Sequence, residues 1–284
     1  MKILITGSEG FVGTHFKSAL ADHDLTCIDI KSGIDCRDFF KTDETYFDMV
    51  IHLAAIVGGR QTIENSPLAV AVDLSIDAEM FNWALRTHPG KLVYFSSSAA
   101  YPVKAQRYKH LGLLETNINL NDISSPDLTY GWAKLTGEYQ AKFAREAGLN
   151  VYVFRPFSGY GADQSLDYPF PSFLDRARRK EDPFVIWGDG TQERDFIHIS
   201  DIVNAVIEIT KYPSEHAAIN LCTGVHTSFN TLAQMVCQEV GYTPKILHLL
   251  DKPVGVKYRH GDPNLMLKYY KPKISLLEGI RISL

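Results

Sequence analysis

The sequence predicts an α/β protein with a doubly wound parallel sheet and a smaller C-terminal lobe. In the first half of the 284-residue chain, short apolar runs alternate with longer stretches of helical periodicity. This alternation is typical of strand–helix–strand units in a parallel sheet. Several runs are apolar at almost every position, as expected of strands that helices cover on both faces. After residue 156, prolines and glycines interrupt the pattern, and this change indicates the second lobe.

The individual elements follow from the same patterns. Five apolar runs predict strands of the main sheet at residues 2–6, 25–30, 49–54, 92–95 and 151–154. Helical periodicity predicts the main helices at residues 11–21, 67–87 and 130–147. Further strands are expected at residues 184–187, 196–199 and 219–222, of which the last two return to the main sheet.

These elements divide the chain into two parts. We predict a large domain formed by residues 1–157, to which residues 195–222 return. The smaller lobe then consists of residues 158–194 and 223–284. In a doubly wound sheet the ligand lies beyond the carboxyl ends of the strands, so the residues that follow each predicted strand are the first candidates for a site.

Composition and charge disfavour several classes of function. A net charge of -4 argues against general nucleic-acid or membrane-surface binding. The one compact basic run, at residues 176–180, is interpreted as the solvated face of a helix. No apolar stretch approaches the roughly 18 residues that span a bilayer, and the apolar run at the start is too short for a signal peptide. We expect a cytoplasmic protein without nucleic-acid or membrane partners.

Cysteine and histidine spacing indicates neither disulfides nor a metal site. The four cysteines form no CxxC pair and are interpreted as reduced thiols: Cys27, Cys36, Cys222 and Cys237. The ten histidines are scattered and form no HExxH motif. We therefore predict no metal.

A glycine motif directly follows the first predicted strand. Residues 7–13 read Gly-Ser-Glu-Gly-Phe-Val-Gly and open the first predicted helix. Gly7 permits a tight turn, Gly10 lets the backbone approach a pyrophosphate, and Gly13 allows the helix to pack closely on the strand. The amide groups at a helix N-terminus favour phosphate charge. The motif predicts a dinucleotide site, and the alternative is a glycine turn without a ligand.

The end of the second strand predicts which dinucleotide binds. Asp29 stands where a carboxylate accepts hydrogen bonds from the adenosine ribose hydroxyls and repels a 2′-phosphate, which favours NAD over NADP. The alternative for Asp29 is a helix cap or turn residue, and the nearby Lys31 leaves NADP open. Asp35 and Cys36 follow after a short link, which indicates an abridged crossover helix and third strand.

A proton-transfer pair is predicted on the third main helix. Tyr130 and Lys134 are four residues apart, so they lie on one helix face about one turn apart. Free tyrosine titrates near 10, so the neighbouring lysine and a positively charged oxidised cofactor would be needed to favour the phenolate. Residues 96–98 are three serines after a strand, where a hydroxyl can hold a substrate oxygen. The alternative is that these serines only terminate the strand.

With these motifs in place, the chain resembles the extended short-chain dehydrogenase/reductase family of nucleotide-sugar epimerases, dehydratases and reductases. The resemblance spans nearly the whole chain: TGSEGFVG at the start, HLAA at residues 52–55, SSSAAYP at 96–102, YGWAK at 130–134, RPFSGYG at 155–161 and WGDGTQERDFIHISD at 187–201. Several ordered motifs at family spacing make it highly specific. It implies a Rossmann fold and a homodimer.

The resemblance also implies roles for individual residues. Ser97 aligns with the catalytic Ser/Thr, Tyr130 with the base, and Lys134 with its partner on the nicotinamide ribose. Residues implied to contact the cofactor are Gly7, Gly10, Phe11, Val12, Gly13, Asp29, Asp35, Cys36, Leu53, Ala54, Ala55, Tyr130, Lys134 and Pro156. Residues implied to contact a nucleotide-diphosphate sugar are Ser98, Ser158, Arg194 and Arg259. The two arginines would grip the diphosphate, because a guanidinium offers a fixed fork of donors to phosphate oxygens.

Departures from the family pattern disfavour some of the reactions that members of the family catalyse. Dehydratases of the family carry an Asp-Glu pair just after the Ser/Thr, but here Ala99 and Ala100 follow Ser98. The GDP-fucose-synthase and GDP-mannose 3,5-epimerase branches resemble the chain through residues 57–59, Val-Gly-Gly, and through SSAAYP, but they use a cysteine where Ala99 stands. Dehydration and cysteine-assisted epimerisation are therefore disfavoured.

Two further departures concern the substrate pocket. Ser158 replaces the usual Asn of the RPxNxYG motif, and Asp73 stands where an Asn is common.

The reactions of the family that are not disfavoured require the transfer of only a hydride and one proton. We predict an NAD-dependent nucleotide-sugar 4-epimerase that works through a transient 4-keto sugar. The alternatives are a nucleotide 4-keto-sugar reductase and, from a different class, a non-catalytic dinucleotide-sensing protein.

Overall fold

A computed structural model describes residues 1–57, 67–109 and 112–284 of the chain. Strands and helices alternate through the first part, as the apolar runs predict. These elements are β1 (Lys2–Thr6), α1 (Phe11–Ala19), β2 (Asp24–Ile28), α2 (Cys36–Thr42), β3 (Met49–His52), α3 (Val70–Thr87), β4 (Leu92–Phe95), α4 (Leu128–Glu146), β5 (Val151–Pro156) and β6 (Ser158–Tyr160).

The later elements are shorter strands between amphipathic helices. They are α5 (Pro169–Arg178), β7 (Phe184–Trp187), β8 (Glu193–Arg194), β9 (Phe196–His198), α6 (Ile199–Ile209), β10 (Ile219–Leu221), β11 (Thr227–Ser228), α7 (Phe229–Val240), β12 (Ile246–Leu249), β13 (Tyr258–Arg259) and α8 (Leu276–Ser283). No helix in the described ranges is long and apolar enough to cross a bilayer.

The main sheet has six parallel strands in the order β10-β5-β4-β3-β1-β2. This confirms the predicted doubly wound α/β fold. The chain passes from β1 outward to β2 and then returns to form β3 on the other side of β1. The strand order therefore reverses between β1 and β3. Ligands of doubly wound sheets bind in the crevice at such a reversal.

The connection from β2 to β3 is short, in agreement with the short link noted before Asp35. Its helix α2 has 7 residues. In the described part of the chain no strand lies beyond β2, which is an edge of the main sheet. The strand that would ordinarily flank β2 is replaced by a direct return through α2 to the centre of the sheet.

Apolar side chains bury both faces of the main sheet. One face packs against α1 and α6, with Phe16, Ile202 and Val206 among the buried residues. The other face packs against α2, α3 and α4, with Phe40 and Trp83 fully buried. Because both faces are covered, the strands themselves are nearly continuous apolar runs.

A separate apolar core lies in the C-terminal part of the chain. It joins α5, α7, α8 and β7 and includes Phe170, Phe173, Phe184, Leu232 and Ile280. Two small sheets border it, β12-β7 and β11-β8-β13. This core is the physical counterpart of the predicted smaller lobe, while the boundaries of the two parts stay a prediction.

Two strand predictions have different outcomes. Residues 219–221 join the main sheet beside β5, as predicted. The prediction for residues 196–199 is wrong, because β9 pairs in parallel with β6 in a separate two-stranded sheet. Apolar periodicity shows that a segment is a strand but not which strand it pairs with. In addition, Met266 and Tyr270 pack on the main sheet, although they belong to the segment assigned to the lobe.

Candidate active site

The glycine motif forms a tight turn between β1 and α1. Gly7 has φ of +70°, and a Cβ there would lie 2.7 Å from the backbone nitrogen of Ala54. A Cβ on Gly13 would collide with the carbonyl oxygen of Gly7. Gly10 caps α1 and presents no side chain in front of the helix N-terminus. Phe11 and Val12 form its first turn. The turn leaves space for a phosphate at the start of α1 but not for side chains on Gly7 or Gly13, which fits the predicted dinucleotide.

Asp29 lies at the carboxyl end of β2, beside the glycine turn. Its Oδ2 accepts a hydrogen bond from the Glu9 amide at 2.8 Å, and its Oδ1 accepts one from the Lys31 amide at 2.8 Å. Asp29 is therefore also a cap of a short 3-10 helix, which was the alternative interpretation. Each carboxylate oxygen has a second lone pair, so capping and acceptance from a ribose hydroxyl are compatible.

The other predicted cofactor contacts lie around the same crevice. Asp35 and Cys36 begin α2, and Arg37 pairs with Asp35 at 2.5 Å, which lowers the pKa of Asp35. Burial raises the pKa of Cys36 to about 12, so it is an inert thiol. The remaining contacts follow parallel strands at the same edge of the sheet: Leu53, Ala54 and Ala55 after β3, and Pro156 at the end of β5.

The structure brings Ser97, Tyr130 and Lys134 together. Hydrogen bonding to Ser97 lowers the pKa of the Tyr130 phenol, while burial, the largest effect, and the charge of Asp73 raise it, for a net rise. The Lys134 ammonium lies 6.0 Å from the centre of the Tyr130 ring, and Lys134 as a whole is 4% exposed. Ser97 also caps the turn of Ser98–Ala100 by accepting from the Ala99 amide at 3.1 Å. The proximity of the three groups is what the predicted proton transfer requires.

A buried polar network supports this pair from below. Asp77 accepts a hydrogen bond from the Tyr94 hydroxyl at 2.6 Å and lies 3.3 Å from His52 Nε2. His52 Nδ1 lies 2.8 Å from the Thr6 hydroxyl. A neutral imidazole satisfies both contacts when Nε2 donates to Asp77 and Nδ1 accepts from Thr6. The Lys134 ammonium lies 5.3 Å from the Tyr94 ring centre, so the network reaches the catalytic helix.

Asp73 lies one helical turn before Asp77, and its carboxylate has fewer hydrogen-bond partners than that of Asp77. It is 1% exposed, and its Oδ1 accepts a hydrogen bond from the Ile56 amide at 2.5 Å. Its Oδ2 is buried and has no hydrogen-bond partner among the described residues. Burial raises the pKa of Asp73 to about 6, with the charge of Lys134 acting in the opposite direction.

Arg194 and Arg259, hereafter the arginine pair, lie side by side although they are distant in sequence. They are directly opposite each other where β8 and β13 pair in parallel. Arg194 donates to the carbonyl oxygens of Glu193 and Val256 at 2.8 and 3.0 Å and lies over the Phe229 ring. The structure thus places on neighbouring strands the two arginines that the family resemblance assigns to a diphosphate.

Arg259 also reaches the start of the catalytic helix. Its Nη2 pairs with Asp127 at 2.5 Å, and its Nε donates to Gln106 at 2.7 Å. Both partners of the ion pair are largely buried. Asp127 directly precedes α4, which carries Tyr130, so the arginine pair and the catalytic pair share one structural connection. Ser158, predicted to contact substrate, is partly buried in β6, and its amide donates a hydrogen bond to the backbone carbonyl oxygen of Asp195.

One cluster gathers side chains of types that ligate metals, although the histidines are scattered in sequence. Ligand atoms of Glu193, His226 and His260 all lie within 4.8 Å of one another. The two imidazole rings stack almost in parallel, with centres 3.5 Å apart, so their lone pairs do not converge on one point. Lys109 lies 3.1 Å from Glu193 and neutralises it. We assign no metal to this cluster.

With this geometry established, the chain can be compared with known proteins. A sequence profile of the NAD dependent epimerase/dehydratase family matches residues 3–222. The chain belongs to this family. The predicted family is thereby confirmed, the protein is an enzyme of that family, and NAD is the family's cofactor.

Individual relatives include both reductases and epimerases. A dTDP-4-dehydro-6-deoxy-D-allose reductase of Streptomyces bikiniensis is 29% identical over 291 residues, which cover 90% of this chain and 86% of the relative. A putative UDP-glucose 4-epimerase of Methanocaldococcus jannaschii is 27% identical over 305 residues, which cover 98% and 96%. The crystal structure of a UDP-glucose 4-epimerase of Thermotoga maritima superposes with a TM-score of 0.83 over 100% of this chain and 97% of that chain, at 22% identity.

Sequence analysis missed several residues of the site. Asp77 and the role of His52 carried a usable signal, because polar residues at apolar positions of a buried helix and strand require partners. The pairing of Asp127 with Arg259 had none, since it depends on how distant segments meet. Of the residues that resemble the cysteine-dependent branches, Val57 is described, whereas Gly58 and Gly59 lie outside the described residues.

Proposed function

We propose that the protein is an NAD-dependent nucleotide-sugar 4-epimerase. The observation that carries this proposal is a proton-transfer pair, Tyr130 and Lys134, beside which the two positions after Ser98 carry no acid or base. Tyr130 interacts with Ser97, whereas the positions that follow Ser98 are the buried alanines Ala99 and Ala100. A C4 epimerisation needs one proton-transfer group, while elimination of water needs more.

NAD fits the residues of the crevice. The turn at Gly7 and the close approach at Gly13 leave space for a pyrophosphate at the start of α1. Asp29 offers carboxylate lone pairs for ribose hydroxyls, which favours NAD over NADP. When bound, NAD supplies a hydride acceptor and donor. Leu53, Ala54, Ala55, Asp35, Cys36 and Pro156 would line the remaining surface of the crevice.

The chain's own residues handle the sugar hydroxyl. Ser97 holds the oxygen, and Tyr130 removes its proton during oxidation and returns a proton during reduction. Lys134 supplies positive charge on the same helix face and would contact the nicotinamide ribose. Ser98 and Ser158 would contact the sugar. The arginine pair would bind the diphosphate, since two guanidinium groups present parallel donors to phosphate oxygens.

A 4-keto-sugar reductase is the second candidate, because the allose reductase relative is 29% identical. The two activities differ in cofactor use. An epimerase returns the hydride that it takes, whereas a reductase consumes one reduced cofactor in every turnover. We would incubate the protein with UDP-, GDP- and dTDP-sugars and a trace of NAD, following products by chromatography and NADH by absorbance. Many turnovers to a C4 epimer without net NADH support the proposal. Product formed only from 4-keto sugars, in step with NAD(P)H consumption, assigns the reductase instead.

The proposal includes a homodimer. Helices α3 and α4 pack together and expose apolar side chains at helical spacing: Leu74, Leu85, Trp132, Tyr139 and Phe143. Each of these is about 40% exposed or more, and apolar side chains exposed on two packed helices suit an interface. The charge change Phe143→Glu should convert the dimer to monomers in size-exclusion chromatography with light scattering.

We also propose a cytoplasmic location, which suits four cysteines that are all free thiols.

A further inference from the structure

Two buried carboxylates lie beneath the catalytic pair. Asp73 and Asp77, hereafter the acid pair, are one turn apart on α3 and each is 1% exposed. Residues four apart share a helix face, and α3 packs against α4, which carries Tyr130 and Lys134. The charges of both carboxylates act on the Tyr130 phenol. Two buried acids therefore act on one phenol, and Asp73 also interacts with the Lys134 ammonium.

The two carboxylates of the acid pair differ in their hydrogen-bond partners. Asp77 has Tyr94 and His52 as partners. Asp73 has the Ile56 amide on one oxygen, while its buried second oxygen has no hydrogen-bond partner within the described ranges. A buried carboxylate with an unsatisfied oxygen is costly to ionise. Asp73 is therefore the member whose charge changes most readily.

The groups around Asp73 have opposing effects on its protonation: some favour the ionised carboxylate and others favour the protonated acid. Lys134 faces it from α4 and favours the ionised form, whereas Asp77 on its own helix disfavours that form. Tyr130 on α4 is coupled to it as well. Arg37 on α2 donates to Ser75 but pairs with Asp35. The loop after β3 contributes the Ile56 amide.

We propose that Asp73 is a positioning residue that acts on Tyr130 and Lys134 through its charge. When ionised, its carboxylate competes for the Lys134 ammonium and opposes ionisation of the Tyr130 phenol. When protonated, it lets Tyr130 release its proton more readily. Asp73 thus biases the pair towards donating a proton, which assists reduction of a ketone and opposes removal of a hydroxyl proton. This inference rests on the proposed roles of Tyr130 and Lys134.

The first test measures the charge of Asp73 directly, in protein without cofactor or substrate. The carboxyl carbon of Asp73 would be titrated by NMR, with the signal assigned through its bonded correlations to the Asp73 backbone. The midpoint should lie near pH 6. It should rise in Lys134→Met, which removes a favourable positive charge, and fall in Asp77→Asn, which removes an unfavourable negative one. A midpoint that neither change moves overturns the proposal. This test needs no catalytic activity, so it is separable from failure of the proposed function.

The second test concerns Tyr130. Asp73→Asn keeps an oxygen for the Ile56 amide and removes only the charge. In the oxidation half-reaction it should move the midpoint that depends on Tyr130 to lower pH by roughly one to two units and abolish any inflection near pH 6. Asp77→Asn is the matched control and should move the Tyr130 midpoint less. If Asp73→Asn lowers kcat without moving the midpoint, Asp73 is only structural. If it does not fold, the titrations of the parent, Lys134→Met and Asp77→Asn still decide the proposal.

Discussion

The acid pair and the arginine pair are both sets of charged side chains near the site, but they differ in exposure and in the number of their hydrogen-bond partners. Asp73 and Asp77 are almost inaccessible, and one oxygen of Asp73 has no hydrogen-bond partner in the described structure. Arg194 and Arg259 are partly exposed and donate to several protein acceptors. A buried, incompletely satisfied charge acts by changing its protonation state. A charge that protein acceptors already pair keeps its protonation state and acts by contact with a ligand. Substitutions in the first region should alter pH dependence, and substitutions in the second should alter affinity.

The largest effect is expected at Tyr130, next to the acid pair. Tyr130→Phe removes the transferable proton and should lower kcat by roughly 10²- to 10⁴-fold, the usual contribution of general acid–base catalysis. Binding of NADH, measured by fluorescence, should be unchanged. Tyr46→Phe removes a hydroxyl from an exposed position to which no role is assigned and serves as the control. Near-normal turnover of Tyr130→Phe would mean that another group carries the proton.

The next effect tests the arginine pair. Arg194→Ala should weaken nucleotide-sugar binding by about 2–5 kcal/mol if the contact is desolvated, and it should leave NAD affinity unchanged. Calorimetric titration with each ligand measures both. Arg179→Ala is the control, because Arg179 is an exposed arginine paired with Asp175. Equal substrate affinity in Arg194→Ala and the parent would make Arg194 an ordinary surface residue.

A smaller effect on stability distinguishes the acid pair from the arginine pair. The pKa of Asp73 rises from 3.8 to about 6 on folding, so its protonated form stabilises the fold at low pH, and that stabilisation is lost as pH rises through about 6. Asp73→Asn should therefore unfold less readily than the parent above pH 7, by at most about 3 kcal/mol. Below pH 4 the two proteins should be equal.

Urea denaturation of both proteins across this pH range measures the difference. Carboxylates that do not interact with Asp73 titrate equally in the parent and the variant, so the difference reports Asp73 and its coupling to Asp77. A difference that is constant with pH would contradict the raised pKa. Arg194→Ala, which removes no acid, should show no such pH-dependent gain.

The smallest effect is expected at Asp29. The parent should bind NADH more tightly than NADPH in fluorescence titrations, because the carboxylate repels a 2′-phosphate. Asp29→Asn should reduce that preference by about 1–2 kcal/mol, through loss of the charged acceptor. Asp22→Asn, at an exposed position, should leave the preference unchanged. A parent that prefers NADPH would overturn the assignment of NAD.

Local patterns in the sequence predict the fold and the catalytic pair because their physical causes are local. The strand, glycine turn and helix at residues 2–19 are contiguous, and Tyr130 and Lys134 are one helical turn apart. The register that places Arg194 beside Arg259 is not local. It depends on the pairing of two-residue strands, which carry too little periodicity to specify a partner. The family resemblance, and not any spacing, indicated that these arginines act together.

The same limit explains what the sequence did not predict. The strand at residues 196–198 was recognised, but its pairing with β6 was not. Asp73 was noticed only as a departure from the family pattern. Its effect on Tyr130 depends on burial by packing of α3 on α4 and on an oxygen left without a partner, and neither is visible before the chain is folded. Charge coupling is therefore the least predictable part of the site.

The position of Arg259 near the end of the chain bears on how the protein is made. All the residues predicted to line the cofactor crevice lie between Gly7 and Pro156, and the strands that carry them, β1 to β5, are complete once residue 156 has emerged. The arginine pair forms only after β13, at residues 258–259, reaches β8. Domains fold progressively from the N-terminus during synthesis. A growing chain therefore contains every residue predicted to line the cofactor crevice well before it acquires the second arginine of the pair, although α6 and β10 still have to join the main sheet.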